Sequence, residues 1–310
     1  MRRVLLWLLL LLALVGAGCG RSGSEQGAAR EQAPAGFPVT LDTPRGKVEI
    51  AQRPTRIVSL SPTATEMLFA INAGGQVVAV DDQSNYPPDA PRTKLSGYQP
   101  NVEAIAGYRP DLVVFATDTG DLAASLRRLA IPALALPAAT RLDDSYAQIQ
   151  QLGKATGHTA EAEGVVTAMR GEIQQIVASA KLDRPLTYYH ELDKSLFSVT
   201  SKTFIGQLYG QLGLENIADK ADKDGSGYPQ LSSEYVVKAD PDLIFLADTK
   251  CCAQSAETVA ARAGWDEVRA VKDGAVVALD DDVASRWGPR VVDFLRVVAA
   301  KLKTLEAAAS

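Results

Sequence analysis

The sequence predicts an α/β protein of two lobes joined by one stiff helix, and three observations carry that reading. First, short apolar runs alternate with helix-patterned segments, which argues for parallel-rich sheets with helices on their faces. Second, residues 159–182 form one long helical pattern, after which Arg184-Pro185 stops it and the alternation begins again. Third, GYQPNVEAIAGYRPDLVVF at 97–115 returns as GYPQLSSEYVVKADPDLIFL at 227–246. Each copy runs Gly-Tyr, a lone Glu, a short amphipathic stretch, Pro-Asp-Leu and a strand. Glu103 precedes Pro110 by seven residues, and Glu234 precedes Pro241 by the same seven.

In chain order, strands are expected at 56–60, 76–80, 112–116 and 133–136. SLSPTATEMLFAIN between the first two reads as a helix. Ser61 is its N-cap, Pro62 takes the first helical position, and Met67, Leu68 and Ile71 form the apolar face. Further helices are expected at 121–130 and 144–156. In the long segment, Val165, Val166, Met169, Ile173, Ile176 and Val177 recur at helical spacing. At 1.5 Å per residue that helix is about 35 Å long, the width of a small domain. Beyond it come strands at 187–190, 243–246 and 276–279, a helix at 204–212, and a final helix at about 289–305. Asn101 and Ser232 read as N-caps, so Glu103 and Glu234 both fall in a first helical turn, where a carboxylate interacts well with the helix dipole. The dipole accounts for each Glu singly, but not for matched placement in two lobes. Two displayed carboxylates suit a two-fold partner with basic pockets.

The first residues read as an export signal. Arg2 and Arg3 precede an apolar stretch, 4–15, and small residues lead to Cys19 in LVGAGC. The stretch is too short for a spanning helix, and no other apolar run reaches the ~18 residues that suggest one. LVGAGC resembles a bacterial lipobox, with lipid expected on Cys19; Gly16 departs from that pattern. Residues 20–36 are Gly, Ser, Ala, Gln and Glu without period and read as a flexible tether. The expected organisation is signal 1–19, tether 20–36, first lobe 37–157, bridging helix 158–183 and second lobe 184–310. The formal charge of −5 becomes −7 once Arg2 and Arg3 leave with the signal. That argues against nucleic acid and against adsorption to anionic lipid.

No Walker A, G-x-S-x-G or H-E-x-x-H motif is present. Asp280, Asp281 and Asp282 form a carboxylate cluster without the alternate spacing and central Gly of a calcium loop. It reads as a solvated strand end. An extracellular hydrolase built on paired carboxylates is the different-class alternative; the expectation is no catalysis, no catalytic residue and no resident metal.

RIVSLSPTATEMLFA, NYPP and NVEAIAGYRPDLVV together resemble the substrate-binding proteins of ABC importers for vitamin B12, ferric siderophores and haem. The resemblance runs from about residue 37 to 305. It implies two Rossmann-like lobes bridged by a rigid helix, with a ligand cleft between them. It also implies a monomer, tethered only by its N-terminal lipid to the outer face of the cytoplasmic membrane. Its partner would be a permease dimer with ATPase subunits. In that family two lobe glutamates dock on the permease, and by motif position they are Glu103 and Glu234; the device is doubled because the permease is a dimer.

The local match is best to the B12 binders, which implies a cobalt corrinoid as ligand. Tyr86, Tyr98 and Tyr228 then take the aromatic cleft positions, and LDDDVASRWGPRVV puts Asp282 and Arg286 near the ligand, as hydrogen-bonding groups or as a structural ion pair. Haem competes, with Tyr98 as an axial phenolate for Fe(III) and His190, expected at a strand end by the cleft, as a second ligand. A ferric siderophore is third, with Arg286 and Arg290 as its basic partners.

Cys251 and Cys252 are adjacent, in the loop after the strand 243–246, and their compartment is oxidising. Loops at the carboxyl ends of parallel strands are where open α/β sheets bind ligands. The expectation is a vicinal disulfide on the cleft wall touching a flat ligand; a free dithiol binding a soft metal is the rival.

Overall fold

The computed structural model describes residues 36–309, apart from 44–45, 181 and 183. The signal, tether and Cys19 readings fall outside the described residues. The described residues begin with an antiparallel hairpin, β1 (Val39–Thr43) and β2 (Gly46–Ile50). Then come β3 (Ile57–Leu60), α1 (Pro62–Ala70), β4 (Val77–Asp81), β5 (Arg92–Leu95), α2 (Val102–Gly107), β6 (Leu112–Phe115), α3 (Leu122–Arg128) and β7 (Ala133–Ala135). Helices α4 (Leu142–Thr156) and α5 (Thr159–Ser179) follow. The second half holds β8 (Leu186–Glu191), α6 (Phe204–Gln211), β9 (Leu214–Asn216), α7 (Ser233–Ala239), β10 (Leu243–Leu246) and the short helices α8 (Thr249–Cys252), α9 (Ala256–Ala260) and α10 (Arg269–Lys272). It ends with β11 (Val276–Ala278), α11 (Asp281–Ser285) and α12 (Val291–Ala309).

Two parallel sheets result. The first has the order β5-β4-β3-β6-β7, and the second β11-β10-β8-β9. The central strands β3, β6 and β10 are buried at every residue, as strands covered on both faces should be. Each sheet reverses strand order beside its first strand, between β3 and β6 and between β8 and β10. The crevice beyond the carboxyl ends at such a point is where open α/β sheets bind ligands.

The repeated motif has a structural half that the sequence did not disclose. Asp111 of the first Pro-Asp-Leu accepts the backbone N–H of Thr55 at 2.8 Å and its hydroxyl at 2.9 Å. Asp242 of the second accepts the same two groups of Thr187, also at 2.8 and 2.9 Å. Each Asp thereby pins the entry of the neighbouring strand, β3 or β8. Burial pushes the Asp242 carboxyl upward, but hydrogen bonds from Thr187, Arg184 and Arg269 outweigh it and hold the group down at about 2.

Helix α5 is not a free-standing bridge. Its buried face, Ala162, Val166, Met169 and Ile173, packs on α4 and α12, and one hydrophobic cluster runs from Leu41 of the hairpin to Leu302 of α12. α4 and α5 approach closely at Gly153, where a Cβ would meet the Ala162 Cβ at 2.5 Å.

Candidate functional site

The carboxyl ends of the first sheet open onto a cavity of about 280 Å³. Leu60, Ser61, Pro62 and Thr63 come from the β3–α1 turn, Asp81 and Gln83 from the end of β4, Gly97 and Tyr98 from beyond β5, and Ala116 and Thr117 from beyond β6. The second half closes it with Asp282, Ser285, Arg286 and Trp287. The β3–α1 turn forms as its sequence predicts: Pro62 starts α1, and the Ser61 hydroxyl accepts the Ala64 N–H at 3.3 Å. Gly97 is required here, since a Cβ would meet the Leu60 carbonyl oxygen at 2.5 Å and an Asp81 carboxyl oxygen at 2.9 Å.

A larger hollow of about 640 Å³ lies elsewhere, against the last turns of α5, with a mostly aliphatic lining that includes Ile173, Val177 and Leu212. It offers little to orient a polar chelate and is away from both sheets' carboxyl ends.

Of the residues singled out from the sequence, Tyr98, Asp282 and Arg286 line the smaller cavity. Tyr98 is 78% exposed, with its ring free to meet a ligand. Tyr86 stands beside this group: its neighbour Asn85 donates to Asp282 at 2.9 Å, and the guanidinium of Arg290 lies 4.3 Å from its ring centroid. It is 44% exposed. Tyr228, 50% exposed, is carried on a loop pair held by an antiparallel bridge between Phe197 and Gln230, and does not line the cavity. Phe197, 38% exposed on the same loop pair, is an aromatic the sequence reading missed. Its only signal was a single large aromatic in SLFSVT.

His190 is corrected by the structure. On β8 it shares a face with Tyr188, two residues away, and that face looks into the core. The ring is fully buried, Nδ1 pairs with the Tyr209 hydroxyl at 2.9 Å, and the Tyr209 ring also packs tilted against Tyr188 and Phe245 and edge-on against Phe294. Burial alone takes its pKa down to about 3. It stands behind the cleft rather than in it.

Arg286 and Arg290 are both committed to ion pairs within the protein. Arg286 donates to Glu66 at 2.8 Å, to the Gln83 carbonyl at 3.1 Å and to Asp282 at 2.6 Å. Arg290 donates twice to Glu66, at 2.9 and 2.5 Å. Glu66 lies on α1 in the first half, so the arginines clasp the halves together under the cavity.

The Asp280–Asp282 run is not a solvated strand end. Asp280 caps α11 by accepting the N–H groups of Asp282 and Val283. Asp281 accepts the N–H groups of Thr249, Lys250 and Cys251 and the Thr249 hydroxyl, which pins α8 to α11. Lys250 bridges Asp280 and Asp282 at 2.9 and 2.8 Å. Among the described residues no three of His, Cys, Asp and Glu gather as metal ligands.

Cys251 and Cys252 close α8 with their sulfurs 2.50 Å apart, off the cavity wall but tied to it through Asp281 and Lys250. Beneath them the Asp248 carboxyl is fully buried with no hydrogen-bond partner on either oxygen among the described residues. Burial, and then the Glu191 carboxylate nearby, push it up to about 7. At the cavity floor burial also raises Asp81, although the Ser84 hydroxyl and N–H both donate to it.

Glu103 and Glu234 are both exposed at the second position of α2 and α7. Asn101 caps the first helix through the Ala104 N–H, and Ser232 caps the second through the Tyr235 N–H.

Residues 57–283 match the periplasmic binding protein family. The chain is 29% identical to an uncharacterized ABC transporter substrate-binding lipoprotein, YvrC, of Bacillus subtilis, over 97% of both chains. It is 31% identical to the cobalamin-binding protein of Halobacterium salinarum, across 83% of this chain and 72% of that one. Among solved structures, the periplasmic vitamin B12-binding protein BtuF of Vibrio cholerae superimposes with a TM-score of 0.68 at 26% identity, covering 81% of this chain and 98% of that one.

Proposed function

Because this chain belongs to the periplasmic binding protein family, a binding protein and not an enzyme, we propose that it is the substrate-binding lipoprotein of an ABC importer, and that its substrate is a cobalt corrinoid. The observation that supports this most is the set of exposed aromatics, Tyr86 and Tyr98 from the first half with Phe197 and Tyr228 from the second. Flat aromatic faces beside a cavity suit a flat macrocycle, whose large apolar surface stacks without a dedicated charge. A cavity of about 280 Å³ lies below the ~300–1,000 Å³ of sites that enclose a small molecule. Within the proposal it serves as the floor of a binding site beside which Tyr86 and Tyr98 stand, with Phe197 and Tyr228 meeting the ligand from the second half. The cobalamin binder of Halobacterium and the structure of the Vibrio B12 binder support the same reading.

Within this proposal Glu103 and Glu234 dock on a permease dimer with its ATPase subunits, Cys19 carries the lipid, and the chain acts as a monomer outside the cytoplasmic membrane. The site takes Tyr86, Tyr98 and Tyr228 as stacking residues, with Phe197 added. Asp282 and Arg286 shape its floor, and Cys251–Cys252, as a vicinal disulfide, forms an apolar knob at its edge. Haem is the second reading. The exposure of Tyr98 favours it, since a phenolate at an open cavity suits Fe(III); His190 no longer supplies a second ligand.

Titration of the purified full chain with cyanocobalamin and with hemin, followed by absorbance and fluorescence quenching, separates the readings. One-to-one saturable binding of cyanocobalamin alone is expected. A phenolate-to-iron band with hemin, lost in Tyr98→Phe, would replace the corrinoid with haem.

A further inference from the structure

Tyr86 is open to solvent, whereas Glu66 behind it is buried, and Arg290 joins the two. Both carboxylate oxygens of Glu66 take part: Oε2 accepts from Arg290 Nε at 2.9 Å and Oε1 from Arg290 Nη2 at 2.5 Å. Two parallel bonds fix the guanidinium plane, which a single bond or an ammonium would leave free to turn. That plane lies against the Tyr86 ring, its centre 4.3 Å from the centroid. The path leaves the first half at Glu66, crosses to Arg290 in the second, and returns to Tyr86 in the first. Glu66 Oε1 also accepts from Arg286, so the carboxylate is shared by two guanidiniums, and Asp282 supplies the second negative charge beside Arg286.

We propose that Glu66 is a positioning residue for ligand binding, acting through Arg290 to hold Tyr86 with one face covered by the guanidinium and the opposite face presented to a flat ligand. The ligand half of this rests on the cleft reading above; the ring-holding half does not. The arrangement gives the tyrosine a single usable face and ties the orientation of that face to the spacing of the two halves. A macrocycle is therefore received on a ring that is already set, which lowers the entropy lost on binding.

The test uses the full chain with 3-fluorotyrosine at position 86 and needs no ligand for its first readout. Glu66→Gln and Arg290→Lys are each expected to move the fluorine resonance toward that of free 3-fluorotyrosine. An unmoved resonance in both variants overturns the proposal. The second readout is a cycle of Glu66→Gln with Tyr86→Ala, titrated with cyanocobalamin and hemin. Each single change is expected to weaken the bound probe roughly tenfold, the scale of one lost stacking contact. The double variant should lose no more than Tyr86→Ala alone; losses that multiply would mean Glu66 only joins the halves, which also overturns it. If Glu66→Gln does not fold, Arg290→Lys keeps the Glu66–Arg286 pair and gives both readouts. If the wild type binds neither probe, the cleft reading fails while the fluorine resonance still decides whether Glu66 sets the ring.

Discussion

Replacing Asp248 by Asn is expected to stabilise the protein at neutral and alkaline pH and to leave it unchanged in acid. The carboxyl is fully buried, has no hydrogen-bond partner among the described residues, and titrates near 7 in place of 3.8. Arg262 stands close but donates to both oxygens of Glu191 at 2.6 Å and to Gln254 at 2.7 Å, so it offers Asp248 no direct bond. An acid whose folded pKa is raised holds its proton longer in the native state. Between about pH 4 and 7 the native state binds more protons than the unfolded chain, so stability falls as pH rises. Three units at about 1.36 kcal/mol each give roughly 4 kcal/mol, lost by pH 7 and not regained above it. His190 runs the other way: its folded value near 3 against 6.5 means stability is lost as pH falls from 6.5 toward 3. The two slopes nearly cancel in the wild type, so the quantity to read is the difference between variant and wild type. Urea unfolding followed by tryptophan fluorescence across pH 4 to 8.5 supplies it. The advantage of Asp248→Asn should grow by about 1.4 kcal/mol per pH unit and level off near pH 7. A difference that stays flat with pH would refute the reasoning and place the carboxyl in contact with water or a partner.

Four further outcomes are expected. Glu103→Ala with Glu234→Ala should abolish uptake by cells while the purified protein keeps its ligand affinity; an equal loss of affinity would contradict docking. Gly97→Ala should cost about 1–3 kcal/mol of stability in a thermal melt and weaken ligand binding at least tenfold, because the new Cβ displaces the segment bearing Tyr98 from the Leu60 carbonyl; a melt within 1 °C of wild type would contradict that packing. His190→Gln should leave cyanocobalamin and hemin titrations within about twofold, the ring being sealed in the core, whereas a changed hemin spectrum would put it back in the cleft. Denatured, exported protein should release two thiols from Cys251 and Cys252 only after reduction; two thiols before it would exclude the vicinal disulfide.

What the sequence disclosed and what it hid divide along physical lines. β3, β6 and β10 were legible because strands covered on both faces read as near-continuous apolar runs, broken only by Ser59 in β3, and the caps Ser61, Asn101 and Ser232 were legible because capping is local. β9, three residues at a sheet edge with the sequence LEN, carries no such run, whereas β11, equally short and also at an edge, was legible from its apolar VVAL. α11 is five residues long and exists because Asp280 caps it, so DDVAS reads as a solvated acidic cluster until its partners are known. His190 was misplaced because its position along β8 was considered and its cover was not: β8 is a central strand buried on both faces, Tyr188 and His190 on one and Tyr189 and Glu191 on the other. Arg286 was recognised as a cavity residue, but the partner that consumes it, Glu66, lies 220 residues away, and nothing local marks such a pair.

That pair bears on how the protein handles its ligand. The halves share one hydrophobic cluster through α4, α5 and α12, and Glu66 clasps two arginines across the boundary beneath the cavity. Opening the halves from this arrangement breaks buried ion pairs, at a cost of about 3–5 kcal/mol when one partner is stripped away. A ligand must return that energy in differential contacts if it is to be bound by large closure. Under the proposed reading a macrocycle seated on exposed aromatics makes most of its contacts without closure, and affinity should follow the placement of Tyr86, Tyr98, Phe197 and Tyr228 more than movement. The separation of Glu103 from Glu234 then changes little on loading. On this reading a permease that docks on both carboxylates distinguishes full from empty protein by the ligand at the rim, and substitutions at Tyr98 should alter transport more than they alter docking.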